Sequence, residues 1–292
     1  MKNKKLIKKQ VTQFRVRIRS RHPSHSVLRE STIRLPFKSV IRLGSETVVK
    51  DVDVECNTVE AVRNSSSKLL MKQCFSKAGV ITAQWYIANK KLDGTILFYT
   101  GLDDTHSNTI MIKEMPYPLI SKSLYGSRGL GNAKINSELE LLDFVKDKDL
   151  KNYIFEEYKT YLREYRLHVT EAGCFYTCRK MLKRDTPEDK KFQRHDDNCV
   201  WILEENPAFD KPVNWDMVVA DCVKALKSLG LDIAAFDLKI QSATDSKGIK
   251  RENPEWIVIE SCSAPSFGER TAEEYIKIIP QVLTNKFNSQ KG

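Results

Sequence analysis

The stretch LISKSLYGSRGLGNA, residues 119–133, constrains the chain more than any other. An apolar run carries one lysine, Lys122, and three glycines follow it: Gly126, Gly129 and Gly131. A lysine beside glycines suggests phosphate, because an ammonium and closely approaching backbone N–H groups both favour an oxyanion. The order excludes two common solutions. In a P-loop the lysine comes after the glycines and opens a helix, and a dinucleotide fold needs G-x-G-x-x-G. The apolar run reads as a strand carrying Lys122, and the glycines, with Ser127 and Arg128 among them, read as a loop after it.

Strands and helices alternate irregularly around this element. LPFKSVIRLGSET (35–47) reads as a strand ending in a Gly-Ser loop. Residues 54–80 read as a turn and two helices, the second with a stripe of Leu69, Leu70, Cys74 and Phe75 stopped by Gly79. Residues 81–87 and 95–100 are strands, 101–109 a polar loop, and 137–149 a helix with Ser137 and Glu140 as a capping box. Residues 152–159, 165–170 and 174–182 are strands, the last two joined by the turn Glu171-Ala172-Gly173. Residues 184–198 form a charged loop. Residues 214–230 form a helix capped by Asn214, with Val218, Cys222, Ala225 and Leu229 on its apolar face. Strands 231–242 and 255–261 are joined by a hairpin loop, and a helix over 271–287, kinked or interrupted at Pro280, closes the chain.

Charge is confined to one end. The chain carries +10, yet its first acidic residue is Glu30 and residues 1–29 hold ten Lys/Arg, which leaves 38 basic against 38 acidic residues in the rest. A basic arm can bind nucleic acid or an anionic surface. It can equally be a solubilising segment that partly pairs as a strand, as the alternation in VTQFRVRIRS allows. No apolar run is long enough for a membrane span and no secretory signal follows the basic start, so a cytoplasmic setting is expected. Seven cysteines fit reduced thiols. Cys174 and Cys178, four apart on a strand, are expected on one face, with no second pair to complete a zinc site.

Several polar side chains interrupt apolar strands. Asp237 in AAFDLKI and Glu260 in WIVIESCSAP point either to water or into a site; facing one cleft, they would be hard oxygen ligands for Mg2+. Arg163 and Arg166 flank Tyr165, and a guanidinium on that strand suits phosphate or carboxylate, or else faces solvent. Lys180, Arg194, His195 and Asn198 are further groups that could converge, with His195 read as a loop histidine. Glu156, Glu157 and Tyr158, ending an apolar strand, could receive adenine and ribose.

The order lysine strand, glycine loop, helix, Glu-Glu-Tyr strand, arginine strand, helix, Asp strand, Glu strand resembles the ATP-grasp superfamily. RLGS (42–45) with NSSSK (64–68) is similar to its small phage-encoded members, and the likeness covers roughly residues 36–284. The resemblance implies an α+β fold of two subdomains gripping the nucleotide, plus a smaller N-terminal α/β subdomain. The division is a basic arm (1–29), an N-terminal subdomain (30–100), a subdomain with lysine strand and lid (101–158), and a C-terminal subdomain with metal carboxylates (159–292). It implies ATP and Mg2+. Lys122 and Lys180 would contact nucleotide, Gly126 to Gly131 form the lid, and Glu156, Glu157 and Tyr158 the adenine hinge. Arg166 would face phosphate or the acyl group, and Asp237 and Glu260 hold the metal. The family strand reads Glu-x-Asn, whereas this chain has Glu260-Ser261-Cys262, and a thiol is a poor Mg2+ ligand.

The implied activity is an ATP-dependent carboxylate–amine or carboxylate–thiol ligase working through an acylphosphate and releasing ADP. Two alternatives stand beside it: a catalytically degenerate nucleotide-binding or regulatory protein, and a nucleic-acid-associated protein docking by its arm. The acceptor could be a small molecule, a peptide or a protein. The resemblance is also compatible with a homodimer and with the cytoplasm of an infected host cell, although the sequence itself does not give the oligomeric state.

Overall fold

The computed structural model describes residues 12–20, 22–100, 109–124, 126, 129–161, 163–192, 194 and 198–292. Ser127, Arg128, His195, most of the 101–109 loop and residues 1–11 of the arm lie outside the described residues.

Two antiparallel sheets dominate. The first runs Ala133–Ile135, Leu119–Ser123, Tyr153–Glu157, Trp85–Lys90, Ile96–Tyr99 and Thr109–Met111 in spatial order. The second runs Cys199–Leu203, Gly173–Leu182, Arg163–Thr170, Ile233–Ile240 and Trp256–Cys262. A third, parallel sheet holds Arg17–Ser20, Ser39–Leu43 and Val54–Cys56. Trp85–Lys90 and Ile96–Tyr99 thus join the sheet of the lysine strand, although the sequence division at residue 100 separates them from it.

One helix covers one face of each sheet, and period-2 alternation decides which face. In Arg163–Thr170, Tyr165, Leu167 and Val169 are fully buried against Val218, Cys222 and Leu226 of helix Trp215–Ser228. Glu164, Arg166 and His168 consequently face the other way. In Leu119–Ser123, Leu119 packs with Phe155, Leu141 and Val145, the last two from helix Glu138–Lys146, which turns Ile120 and Lys122 to the opposite side. The parallel sheet buries Ile41, Leu43 and Val54 under Tyr275, Ile279 and Leu283 of helix Glu269–Ser289.

Five local expectations change. Helix Glu269–Ser289 runs through Pro280 without interruption, because tertiary burial of its apolar face outweighs the one lost hydrogen bond. Asn214 stands at the cap position of its helix, but its amide donates to the Pro254 carbonyl at 2.9 Å instead of capping. Ser137 caps as expected, accepting from the Glu140 N–H at 3.3 Å; the Glu140 carboxylate accepts from the Asn136 N–H instead of closing the box. Strand Cys199–Leu203 was not expected. Cys174 and Cys178 lie on opposite faces: a β-bulge shifts the pairing between His168 and Val169, so Cys174 opposes Val169 while Cys178 opposes Arg166.

Candidate functional site

The faces of the two antiparallel sheets turned away from helices Glu138–Lys146 and Trp215–Ser228 line a cleft of about 1250 Å³, to which helix Lys68–Lys77 also contributes. That exceeds the roughly 300–1,000 Å³ usual for one drug-sized ligand. Nine Lys/Arg and six Asp/Glu side chains line it, so its charge favours an anion.

On the first sheet, Lys122 and Glu156 share a face because Lys122 is paired with Ile154, two residues from Glu156. Lys122 Nζ donates to Glu156 Oε1 at 2.8 Å, and Lys72 Nζ, from helix Lys68–Lys77, reaches Glu156 Oε2 at 3.0 Å. Burial alone would raise the Glu156 pKa, but Lys122 and Lys72 hold it below the usual carboxylate range. Burial pushes Lys72 down. Lys68 donates to the carbonyl of Gly126, tying the glycine loop to the same helix. Gly129 and Gly131 have φ of +74° and +76°, a conformation that favours glycine.

Beyond Glu156 the chain stays at the cleft. Glu157 accepts from Lys159, and the Tyr158 ring carries Lys134 Nζ at 5.2 Å and Lys239 Nζ at 4.5 Å from its centroid. Lys134 belongs to the first sheet and Lys239 to the second, so Tyr158 is where cations from both meet. Burial draws Lys239 down to about 8.

On the second sheet, register does the assembly. Cys178, Arg166, Asp237 and Glu260 oppose one another in a row across four strands. One step along, Trp201, Lys180, Glu164 and Lys239 form a second row on the same face. Arg166 donates twice to Asp237, from Nε to Oδ1 at 2.8 Å and from a terminal nitrogen to Oδ2 at 2.9 Å. Lys180 also donates to Oδ2. Burial opposes ionisation of Asp237, yet Arg166 and Lys180 hold it well below the carboxylate range. Arg194 Nη1 pairs with Glu164 at 3.1 Å, and Lys180 lies 3.4 Å from the same carboxylate. The Trp201 ring sits beneath Arg166 and Lys180, with cation-to-centroid distances of 5.4 and 5.5 Å.

Glu260 differs from its neighbours. Its carboxylate makes no hydrogen bond or ion pair with any described residue, although it faces the cleft. Burial pushes the Cys262 thiol up, which keeps it neutral and soft. Ser261, a candidate to replace the missing asparagine, hydrogen-bonds Ser65 at 3.0 Å instead. Among the described residues no group of three or more His, Cys, Asp or Glu side chains is assembled as a metal cluster. The donors that fit a hard cation are Glu260 and Oδ1 of Asp237, which accepts only from Arg166 Nε.

The cleft therefore gathers Lys122, Gly126, Gly129, Glu156, Glu157, Tyr158, Arg166, Lys180, Asp237, Glu260 and Cys262. Lys72, Glu164, Trp201 and Lys239 were not singled out from sequence. The alternation that placed Asp237 on the cleft face applied equally to Lys239, two residues on. Nothing in KLLMKQCF marked Lys72, since a lysine on an amphipathic helix ordinarily faces water.

No protein-family model matches the chain, and no curated protein sequence does. Solved structures do. A D-alanine–D-alanine ligase from Bacillus anthracis complexed with ATP superposes with a TM-score of 0.54 at 14% identity, over 87% of this chain and 81% of that one. An N5-carboxyaminoimidazole synthetase from Staphylococcus aureus complexed with ADP gives a TM-score of 0.56 at 16% identity, over 85% of this chain and 61% of that one. Both are ATP-grasp enzymes, and the two-sheet architecture with its intervening cleft is theirs: this chain has the ATP-grasp fold.

Proposed function

We propose that the protein is an ATP-dependent ligase joining a carboxylate to an amine or thiol. The observation that carries the reading is the charge layout of the cleft. Lys122 and Arg166, both mostly buried, project from opposed sheets, while Glu260 keeps a carboxylate with no described hydrogen bond or ion pair, only the nearby charge of Lys68. A triphosphate there would meet cations from both sides. Because Lys72 also holds Glu156, Lys122 can turn to phosphate without leaving that carboxylate unpaired. Glu156 would thus hold the lysines, leaving Glu157 and Tyr158 to border adenine. Arg166, fixed flat by Asp237, keeps N–H donors for a planar oxyanion. The loop of Gly126, Ser127, Arg128, Gly129 and Gly131 would cover the triphosphate. Glu260, with Asp237 Oδ1, would hold Mg2+, which when bound supplies a Lewis acid that draws charge from the phosphates.

In the first step a carboxylate oxygen attacks the γ-phosphorus, the bond to the bridging oxygen breaks, and ADP leaves an acylphosphate. An amine or thiol then adds to the acyl carbon and expels phosphate. The protein's part is positioning and charge neutralisation, as in other phosphoryl transfers.

ADP release that requires Mg2+ and an added carboxylate is the expected result; ATP binding without turnover across a broad panel of acids and amines would exclude the ligase. Lys122→Ala should weaken ATP binding about 10- to 100-fold by calorimetry, the worth of one charged hydrogen bond. Glu260→Gln should leave folding intact and lower turnover. One observation favours a second reading, a nucleotide-binding protein without ligase chemistry: the neutral thiol of Cys262. Cys262→Asn separates the two. Unchanged or higher ADP release fits the ligase; a large loss would give the thiol a role of its own.

A further inference from the structure

We propose that the open edge of strand Arg17–Ser20 receives an acidic polypeptide segment as an added β-strand. This strand is outermost in the parallel sheet and pairs there with Ser39–Leu43 on one side only. A groove of about 450 Å³ runs along it, lined by Arg15, Val16, Arg17, Ile18 and Arg19, with Arg29 from the following helix. Arg17, Ile18 and Arg19 are successive strand residues whose side chains point to opposite faces, so the groove follows the backbone edge there; Arg15 and Val16, just before the strand, already pair with Arg34 and Ile33.

Arg15, Arg17 and Arg19 are exposed, while Val16 is buried and Ile18 half-buried. Arginines two residues apart are about 6.6 Å apart along a strand, the spacing of alternate side chains on a neighbouring strand. Arg15 donates to the carbonyls of Arg29 and Ser31, and Arg17 to that of Lys50 at 2.9 Å. Those contacts orient the guanidiniums without neutralising them. None of Arg15, Arg17, Arg19 and Arg29 forms an ion pair with a described Asp or Glu.

Charge complementarity selects the occupant. A second copy would set arginine against arginine across the new pairing, which is destabilising. Residues 1–11 carry five lysines and no acid, so the chain's own start does not complement the row. Nucleic acid would satisfy the guanidiniums but not the row of backbone N–H and C=O groups. An extended segment with acids at alternate positions satisfies both.

Fluorescence anisotropy of the full chain with a labelled peptide of alternating glutamate and threonine tests this. Saturable binding is expected, weakened about tenfold when Arg17→Ser and Arg19→Ser are combined. Binding should be lost when proline replaces each threonine, since proline cannot donate to a ladder. Equal binding of the proline peptide would overturn the proposal, as would no binding of the threonine peptide. Tighter binding of a single-stranded DNA of equal charge would overturn it too. The proline comparison uses the unaltered chain and does not depend on the variant folding.

Discussion

Replacing Glu156 with glutamine will destabilise the protein by about 3–5 kcal/mol, read as a fall in the urea midpoint. Glu156 is the one carboxylate shared by Lys72 and Lys122. The Lys72 side chain is fully buried, and its only other described hydrogen bond is to the Thr82 hydroxyl at 2.6 Å. Glutamine keeps the shape and removes the charge, so two ammoniums remain in a low-dielectric site with no described carboxylate in contact, Glu260 acting only from a distance. The cost of an unpaired buried charge exceeds what the pair contributed. Two further measurements separate this from a packing defect. The deficit should narrow as pH rises, because burial lowers the pKa of Lys72 and, unpaired, it sheds its proton while the unfolded chain still holds one. ATP should stabilise the variant more than the parent, by supplying the charge that Lys122 lacks. A deficit below about 1 kcal/mol would show that solvent reaches Lys72.

Lowering pH from 7 to 5 will cost the folded state roughly 4 kcal/mol, through two buried imidazoles. His25 is fully buried, donates from Nε2 to the Pro265 carbonyl at 2.7 Å and accepts from the Ser20 hydroxyl at Nδ1. Burial lowers it to about 4. His168 is buried beside Arg166, 3.1 Å from the Tyr275 hydroxyl, and burial lowers it to about 3. Both titrate near 6.5 when unfolded. Their stabilisation is therefore present above about pH 6.5, falls as pH drops below it because only the unfolded chain protonates, and is gone once pH passes the folded values. Each contributes about 2 kcal/mol of the loss by pH 5. The window isolates them, because Asp237 and Glu156, held below the carboxylate range, lose their stabilisation only at lower pH. Urea melts at pH 7 and 5 read the difference, and His168→Phe should remove about half of it. A pH-independent midpoint over that range would mean that both rings can protonate in place.

Much of this arrangement was legible in the chain. Single charges inside apolar strands, Lys122, Arg166, Asp237 and Glu260, were visible because alternation leaves such a side chain only two directions. The register between strands was not visible. That Arg166, Asp237 and Glu260 share a row depends on pairings across 71 and 23 residues of sequence, which no local signal encodes. The pairing of Glu156 with two lysines was not visible for the same reason. Its partner Lys72 sits 84 residues earlier on a helix where lysine ordinarily meets solvent. The bulge that separates Cys174 from Cys178 has no residue-type signature, yet it reverses every inside–outside assignment beyond it. Strand Cys199–Leu203 could have been found from the apolar run CVWIL, which a charged loop precedes.

The last helix described closes the parallel sheet near the start of the chain: Val16, Ile41, Leu43 and Val54 are buried under Tyr275, Ile279 and Leu283. On a ribosome adding about 5–20 residues per second, strands made first must wait roughly tens of seconds for that cover. Through this interval their apolar side chains and unpaired edges are exposed together, the condition under which nascent chains associate. The exposed arginines on the outermost strand would matter in that interval, because a row of like charges disfavours pairing of sister chains at that edge. Truncation within Glu269–Ser289 would accordingly do more harm in the cell than the loss of a surface helix suggests.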